Sequence, residues 1–136
     1  MRIVLDDGAR MPTRAHPEDA GLDIYASENM IVPPHHYANV CTGVHVEIPK
    51  GCVGLLTSKS GLMSKKGITT RGTIDSGYTG AIKVTVFNGG YEWFEIKKGE
   101  KISQLVSLPV LVPELKLAED LGCTARGDHG FGSSGK

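Results

Sequence analysis

The sequence predicts an all-β fold, a sandwich or closed barrel, on three observations. Short runs rich in β-branched residues lie between glycines, of which the 136-residue chain has 18. One of those runs, Ile82-Lys83-Val84-Thr85-Val86, alternates with period two as a half-buried strand does. A single stretch reads as helix, and it is too short for a βαβ crossover.

The elements follow in order. Ala20-Gly21-Leu22-Asp23-Ile24-Tyr25-Ala26 is an apolar, strand-like run with a carboxylate in its middle. Strands are expected at Gly43–Ile48 and Cys52–Thr57, with turns at Pro33-Pro34 and Lys50-Gly51. The helix is expected at Ser60–Lys65, closed by Gly67 as a C-cap. Gly72–Gly80 has the composition of a hairpin, and Ile82–Val86 is a strand. Strands at Tyr91–Ile96 and Ile102–Leu108 complete the set, with turns at Gly89-Gly90 and Lys98-Gly99. From Ala125 to Lys136 the chain is polar and Gly-rich with one aromatic, which predicts an arm that moves when nothing is bound. Extended, it would reach roughly 40 Å, far enough to touch another subunit. The organisation read from this is a β domain over 1–124 and a flexible C-terminal arm over 125–136.

Lys plus Arg and Asp plus Glu number 15 each, and a formal net charge of zero argues against a nucleic-acid coating protein. A local basic cluster can still bind a small anion. No apolar run approaches the ~20 residues of a membrane span. Acidic Asp6 and Asp7 stand where a secretory signal would continue apolar. Cys41, Cys52 and Cys123 match neither a zinc spacing nor a disulfide framework, the pattern of reduced thiols in a cytoplasmic protein.

Five segments can carry chemistry. Asp23 is costly to bury without a partner, although a turn or strand-edge role would explain it equally well. Lys59, Ser60 and Gly61 offer an ammonium, a hydroxyl and close backbone approach where the helix begins, a place that favours anions; an ordinary Ser N-cap beside an exposed lysine is the plain alternative. Asp75 follows apolar Ile74 and precedes a turn, so its carboxylate can orient or deprotonate a water, and Tyr78 can pack against a sugar. The plain alternative is a hairpin whose Asp and Gly only make the turn. Gln104 alternates with Ile102 and would share its face as a buried amide, which must be hydrogen-bonded by structure or by ligand. In the tail, Arg126 suits bidentate phosphate contact, Ser133 and Ser134 add hydroxyls, Gly130 and Gly132 allow an anion nest, and Phe131 can stack on a base. A disordered tail is the alternative there.

In this order and spacing the five segments resemble the motifs of the trimeric dUTPase family, from about Ala20 to Gly135. The resemblance implies a distorted jelly-roll β-barrel of the β-clip kind and a homotrimer with three active sites at subunit interfaces. The arm of one chain would close over a neighbour's site. It implies hydrolysis of dUTP to dUMP and pyrophosphate by in-line attack of water at the α-phosphate, limiting dUTP and supplying dUMP for thymidylate synthesis. Asp75 would activate the water and contact the sugar 3′-hydroxyl, with Tyr78 packed beneath the deoxyribose. Lys59, Ser60 and Gly61 would hold phosphates, Gln104 the α-phosphate, and Arg126, Ser133 and Ser134 the γ-phosphate. Phe131 would cover the uracil. Backbone groups around Thr69–Ile74, Gly72 among them, would read the base edge, and Lys83 belongs to the same base-and-sugar set. Mg²⁺ chelated by the triphosphate would neutralise charge, with Asp23 supporting the metal indirectly through water.

The chain departs from the family pattern at Lys59, where Arg is usual, at Thr69, where Asn is common, and at Ser134, where Thr is usual. Lysine keeps the charge but loses the fork. Two other readings stay open: a related dCTP deaminase, and a non-catalytic module using the same nucleotide pocket. A bacterial or bacteriophage-encoded cytoplasmic protein fits the chain, while a regulatory protein partner is not readable from it.

Overall fold

A computed structural model describes residues 1–130 of the chain. Among them ten strands surround a core of Val, Ile and Leu, with one short helix. In chain order they are β1 (Ile3–Leu5), β2 (Gly21–Tyr25), β3 (Met30–Val32), β4 (Tyr37–Cys41), β5 (Val44–Val46), β6 (Cys52–Thr57), α1 (Ser60–Lys66), β7 (Ile68–Asp75), β8 (Lys83–Asn88), β9 (Phe94–Ile96) and β10 (Lys101–Pro109). Six strands form one antiparallel sheet in the order β2-β10-β6-β7-β8-β4, and the pairs β1-β5 and β3-β9 form two smaller ones. The predicted all-β class holds.

The alternation of 82–86 works as expected: Ile82, Val84 and Val86 are buried while Lys83 faces water. The helix runs one residue further than predicted, and Gly67 ends it at φ 68° with its N–H donated to the Met63 carbonyl. Two predicted strands are shorter. Gly43–Ile48 contracts to β5: Gly43 sits at φ 64° and leaves the strand at its start, and the ladder with β1 ends at Val46 opposite Ile3. Tyr91–Ile96 contracts to β9 because buried Asn88 organises the residues before it into a turn. Its Nδ2 donates to the carbonyls of Val32 (2.9 Å) and Glu92 (2.8 Å), and its Oδ1 accepts from the Gly90 N–H (3.0 Å). Tyr91 and Trp93 are consequently exposed.

One correction matters for the site. The β10–β2 register shifts between Lys101 and Ser103, so β10 carries a bulge. Ile102 and Leu105 both enter the core, three residues apart. Gln104 therefore does not share a face with Ile102, and it is half-buried instead of buried.

After Pro109 the chain runs through Val110–Gly130 without strand or helix. Leu111, Leu115, Leu117 and Leu121 in this stretch are each at least 93% exposed. The three cysteines are unpaired. No helix among the described residues is long and apolar enough to cross a membrane.

Candidate functional site

Strand β10 lies between β2 and β6, and this order aligns three of the sequence-distant segments. Gln104 stands opposite Asp23 on one side and opposite Thr57 on the other, one row across three strands. Lys59 follows two residues after Thr57, in extended backbone at the cap position of α1. The helix start carries no side-chain cap, so the alternative of an ordinary Ser60 N-cap does not hold. Ser60 and Gly61 are exposed.

Asp23 is 2% exposed, although β2 is an edge strand. Its backbone N–H donates to Thr13 (2.7 Å), which covers that edge. Its two carboxylate oxygens each accept from an ammonium, Lys59 Nζ at 2.5 Å and Lys101 Nζ at 2.7 Å. Burial pushes the Asp23 carboxyl up, but the hydrogen bonds from Lys101 and Lys59 outweigh it and hold the group below the ordinary carboxylate value. The same contact raises Lys101. Asp23 is thus a buried anchor for two cations and not a plain turn residue.

Lys101 carries no signal in the sequence beyond being a lysine ahead of a strand. Three hydroxyls were equally silent. The Thr70 N–H donates to Ser58 Oγ (2.8 Å), and the Ser58 hydroxyl donates back to the Thr70 carbonyl (3.1 Å). Thr70 Oγ1 lies 3.0 Å from Ser103 Oγ, which donates to the Thr57 carbonyl (2.9 Å). This chain ties the end of β6, and with it the approach to Lys59, to β7 and β10.

The second half of the site lies elsewhere. Strand β7 pairs with β8 only from Ile68 to Arg71 and then with β6 from Gly72 to Asp75. The β7–β8 ladder therefore stops at Arg71 opposite Thr85, leaving the β8-facing edge of Gly72–Asp75 outside it. Ile82 pairs instead with Thr42 and Val44. Backbone N–H and C=O groups on that edge are therefore not paired with β8. Thr69 sits half-buried just before that edge and Ile74 points into the core, so Ile74 can offer a ligand only its backbone. Lys83 is exposed on the far strand, opposite Cys41.

Asp75 ends β7 with its side chain exposed, and its carbonyl accepts the Tyr78 N–H (3.1 Å) across a turn with Gly77 at φ 99°. The Tyr78 hydroxyl donates to the Ala81 carbonyl (3.2 Å), and the ring is 48% exposed. The ring lies where a Cβ on Gly80 would be, 2.6 Å from Tyr78 Cζ. A depression of about 970 Å³ flanks this turn and touches Tyr78, but neither Asp75, Lys59 nor Gln104 lines it.

One chain does not bring the two halves together. Asp75 stands opposite Val53, four residues along β6 from Thr57, a separation of roughly 13 Å. Arg126 is exposed, with its Nε donated to the His129 carbonyl (3.1 Å). Phe131, Gly132, Ser133 and Ser134 lie outside the described residues. Among the described residues no cluster of three or more acids, histidines or cysteines is placed to hold a metal. With both oxygens of Asp23 taken by ammonium groups, the donor set does not fit a resident ion.

The family model described as dUTPase matches residues 7–135. The deoxyuridine 5′-triphosphate nucleotidohydrolase of Clostridium tetani is 38% identical over 136 residues, covering 98% of this chain and 94% of that protein. The enzyme of the same name from Debaryomyces hansenii is 42% identical, covering 100% and 88%. Among solved structures, the Staphylococcus bacteriophage 80alpha dUTPase with dUPNHPP superposes with a TM-score of 0.90 at 37% identity, covering 99% of this chain and 98% of that one. The dUTPase of S. aureus phage phi11, described with a structural Mg(II) ion, matches with a TM-score of 0.80 at 34% identity, covering 88% and 97%.

Proposed function

The chain belongs to the dUTPase family, and on that footing we propose how it hydrolyses dUTP to dUMP and pyrophosphate. The observation that carries the reading is the break in the β7–β8 ladder. It leaves one backbone edge of Gly72–Asp75 outside the ladder, ending at an exposed carboxylate, Asp75, with the ring of Tyr78 across the turn. Backbone amides and carbonyls of Gly72–Ile74, with Thr69 and Lys83 nearby, read the edge of uracil. Cytosine presents the opposite donor and acceptor there and leaves buried groups unpaired. Tyr78 packs beneath the deoxyribose, and Asp75 orients and deprotonates the water that attacks the α-phosphorus in line.

Charge developing on the phosphates needs preorganised donors. In this proposal Lys59, Ser60, Gly61 and Gln104 supply them, with Lys59 held in place by Asp23. Lysine offers a point charge where a forked guanidinium would offer two bonds. Mg²⁺ arrives chelated by the triphosphate and neutralises its charge, which needs no resident acidic cage.

The separation of Asp75 from the Lys59–Gln104 row supports a site shared between chains, and with it a homotrimer. Four exposed leucines between 111 and 121 are an apolar stretch that a partner subunit would cover. The arm over 125–136 then brings Arg126, Phe131, Ser133 and Ser134 to close a neighbour's site, while 1–124 forms the body. A bacterial or bacteriophage cytoplasmic setting completes the reading.

The test is pyrophosphate release from dUTP, dTTP, dCTP and UTP, with and without Mg²⁺. Release from dUTP alone is expected. Asp75→Asn is expected to keep binding of a non-hydrolysable dUTP analogue while turnover is lost. Turnover by that variant near the wild-type rate would remove Asp75 as the base. Ammonia from dCTP would favour deamination.

A further inference from the structure

His45 lies on β5 opposite Val4 of β1, outside every segment assigned to the reaction. Its ring joins two parts of the chain distant in sequence. Nδ1 is 2.8 Å from the carbonyl oxygen of Thr79, and Nε2 is 3.1 Å from Asp6 Oδ1. Both partners only accept hydrogen bonds. A neutral imidazole has one N–H and can satisfy one of them; the imidazolium satisfies both. The His45 side chain is 28% exposed and that of Asp6 59%, so water screens the Nε2 contact in part.

Asp6 is anchored through its backbone. The Asp6 N–H donates to the Gly43 carbonyl (2.8 Å), and the Ala9 N–H donates to the Asp6 carbonyl (3.0 Å). Thr79 lies between Tyr78 and Gly80, in the turn that begins at Asp75. We propose that His45 is a positioning residue whose protonated ring holds the Asp75–Gly80 turn against the N-terminal loop, so that dUTP binding weakens when the ring loses its proton. This rests on the reading of Asp75 and Tyr78 as site residues.

The surroundings favour the cation. Asp6 is the facing anion from the loop after β1. Just past β5, Glu47 is paired with Arg2, the residue before β1, through two hydrogen bonds and is largely neutralised. On the turn the charged side chain is Asp75, which does not line the depression that His45 lines, while Ser76, Gly77, Tyr78 and Thr79 add no carboxylate or ammonium; Lys50 lies in the turn beyond β5. The Thr79 carbonyl first, and Asp6 second, raise the imidazole above its ordinary value. The link is therefore complete at low pH and is lost as pH rises through that raised value.

The experiment pairs KM and kcat for dUTP across pH with NMR titration of the His45 ring, in wild type, His45→Gln and Asp6→Asn. In wild type KM should rise roughly three- to tenfold with the midpoint of the ring titration, as expected for loss of one hydrogen bond, while kcat changes less. Asp6→Asn should move both midpoints to lower pH, and His45→Gln should flatten this part of the KM profile. The amide resonances of Gly77 and Gly80 should shift with the ring. A His45→Gln KM profile that superimposes on wild type, or unmoved Gly77 and Gly80 amides, overturns the proposal. Asp75→Asn run alongside separates the two readings. If that variant turned over normally, the site reading would fail and the effect on binding with it, whereas loss of turnover with an unmoved turn would sink the His45 proposal alone.

Discussion

Replacing both lysines that hold Asp23, by Lys59→Met and Lys101→Met, would strand a carboxylate whose side chain is 3% exposed. Removing the partners of a buried charge costs about 3–5 kcal/mol. The two lysine side chains are themselves 24% and 42% exposed, so solvent screens part of the interaction and the lower end applies. About 3 kcal/mol in a chain of this length lowers Tm by roughly 10 °C. Either single replacement leaves one ammonium on the carboxylate, and each should cost far less than half of the double loss. The pH dependence should also change sign. In wild type the carboxyl is depressed, so its contribution is present above about pH 4 and is lost as pH falls through the folded value. Without the lysines only burial acts, the group is raised, and protonation on lowering the pH then stabilises the fold. Thermal melts of the four-member cycle at matched protein concentration, from about pH 2 to pH 8, measure both effects. Additive losses, or a double variant with the wild-type acid slope, would refute the reasoning.

Other expected outcomes follow from single contacts. Gly80→Ala puts a Cβ into the Tyr78 ring, which can swing toward solvent. Stability should hardly change, while KM for dUTP rises and discrimination against UTP falls; unchanged kinetics would remove Tyr78 from the sugar site. Ser103→Ala leaves Thr70 Oγ1 and the Thr57 carbonyl each short of a buried partner and should cost about 1–3 kcal/mol in chemical denaturation. A loss within error would mean that this hydroxyl chain does not organise the approach to Lys59. Deleting residues 126–136 should leave the native mass and Tm intact and remove most activity. Dissociation on truncation would show that the arm contributes to assembly.

Much of this molecule is legible without coordinates. Strands appear wherever an apolar residue recurs at every second position, because period two puts those side chains on one face, as at Ile82, Val84 and Val86. The helix stop at Gly67 is legible because a left-handed cap asks for glycine. The segments around Asp23, Lys59, Asp75 and Gln104 are legible as polar groups set in apolar or turn-rich runs. What binds them to one another is not local. Lys101 becomes the second cation on Asp23 only because a bulge at Ile102 and the β2-β10-β6 order bring it there. Period two mis-phased Gln104 for the same reason, since one extra residue turns the rest of a strand over.

By itself the sequence determined the β class, the turn chemistry and the residue types available for binding a nucleotide, because these depend on neighbours within a few positions. Tertiary structure alone decided which of them meet. It joined Asp23 to two lysines, threaded Ser58, Thr70 and Ser103 into one hydrogen-bonded chain, and hung His45 between Asp6 and Thr79. It also held Asp75 away from the Lys59–Gln104 row. Each of these depends on strand order and register across long stretches of chain, which pairing energies set collectively and which no short window of residues encodes.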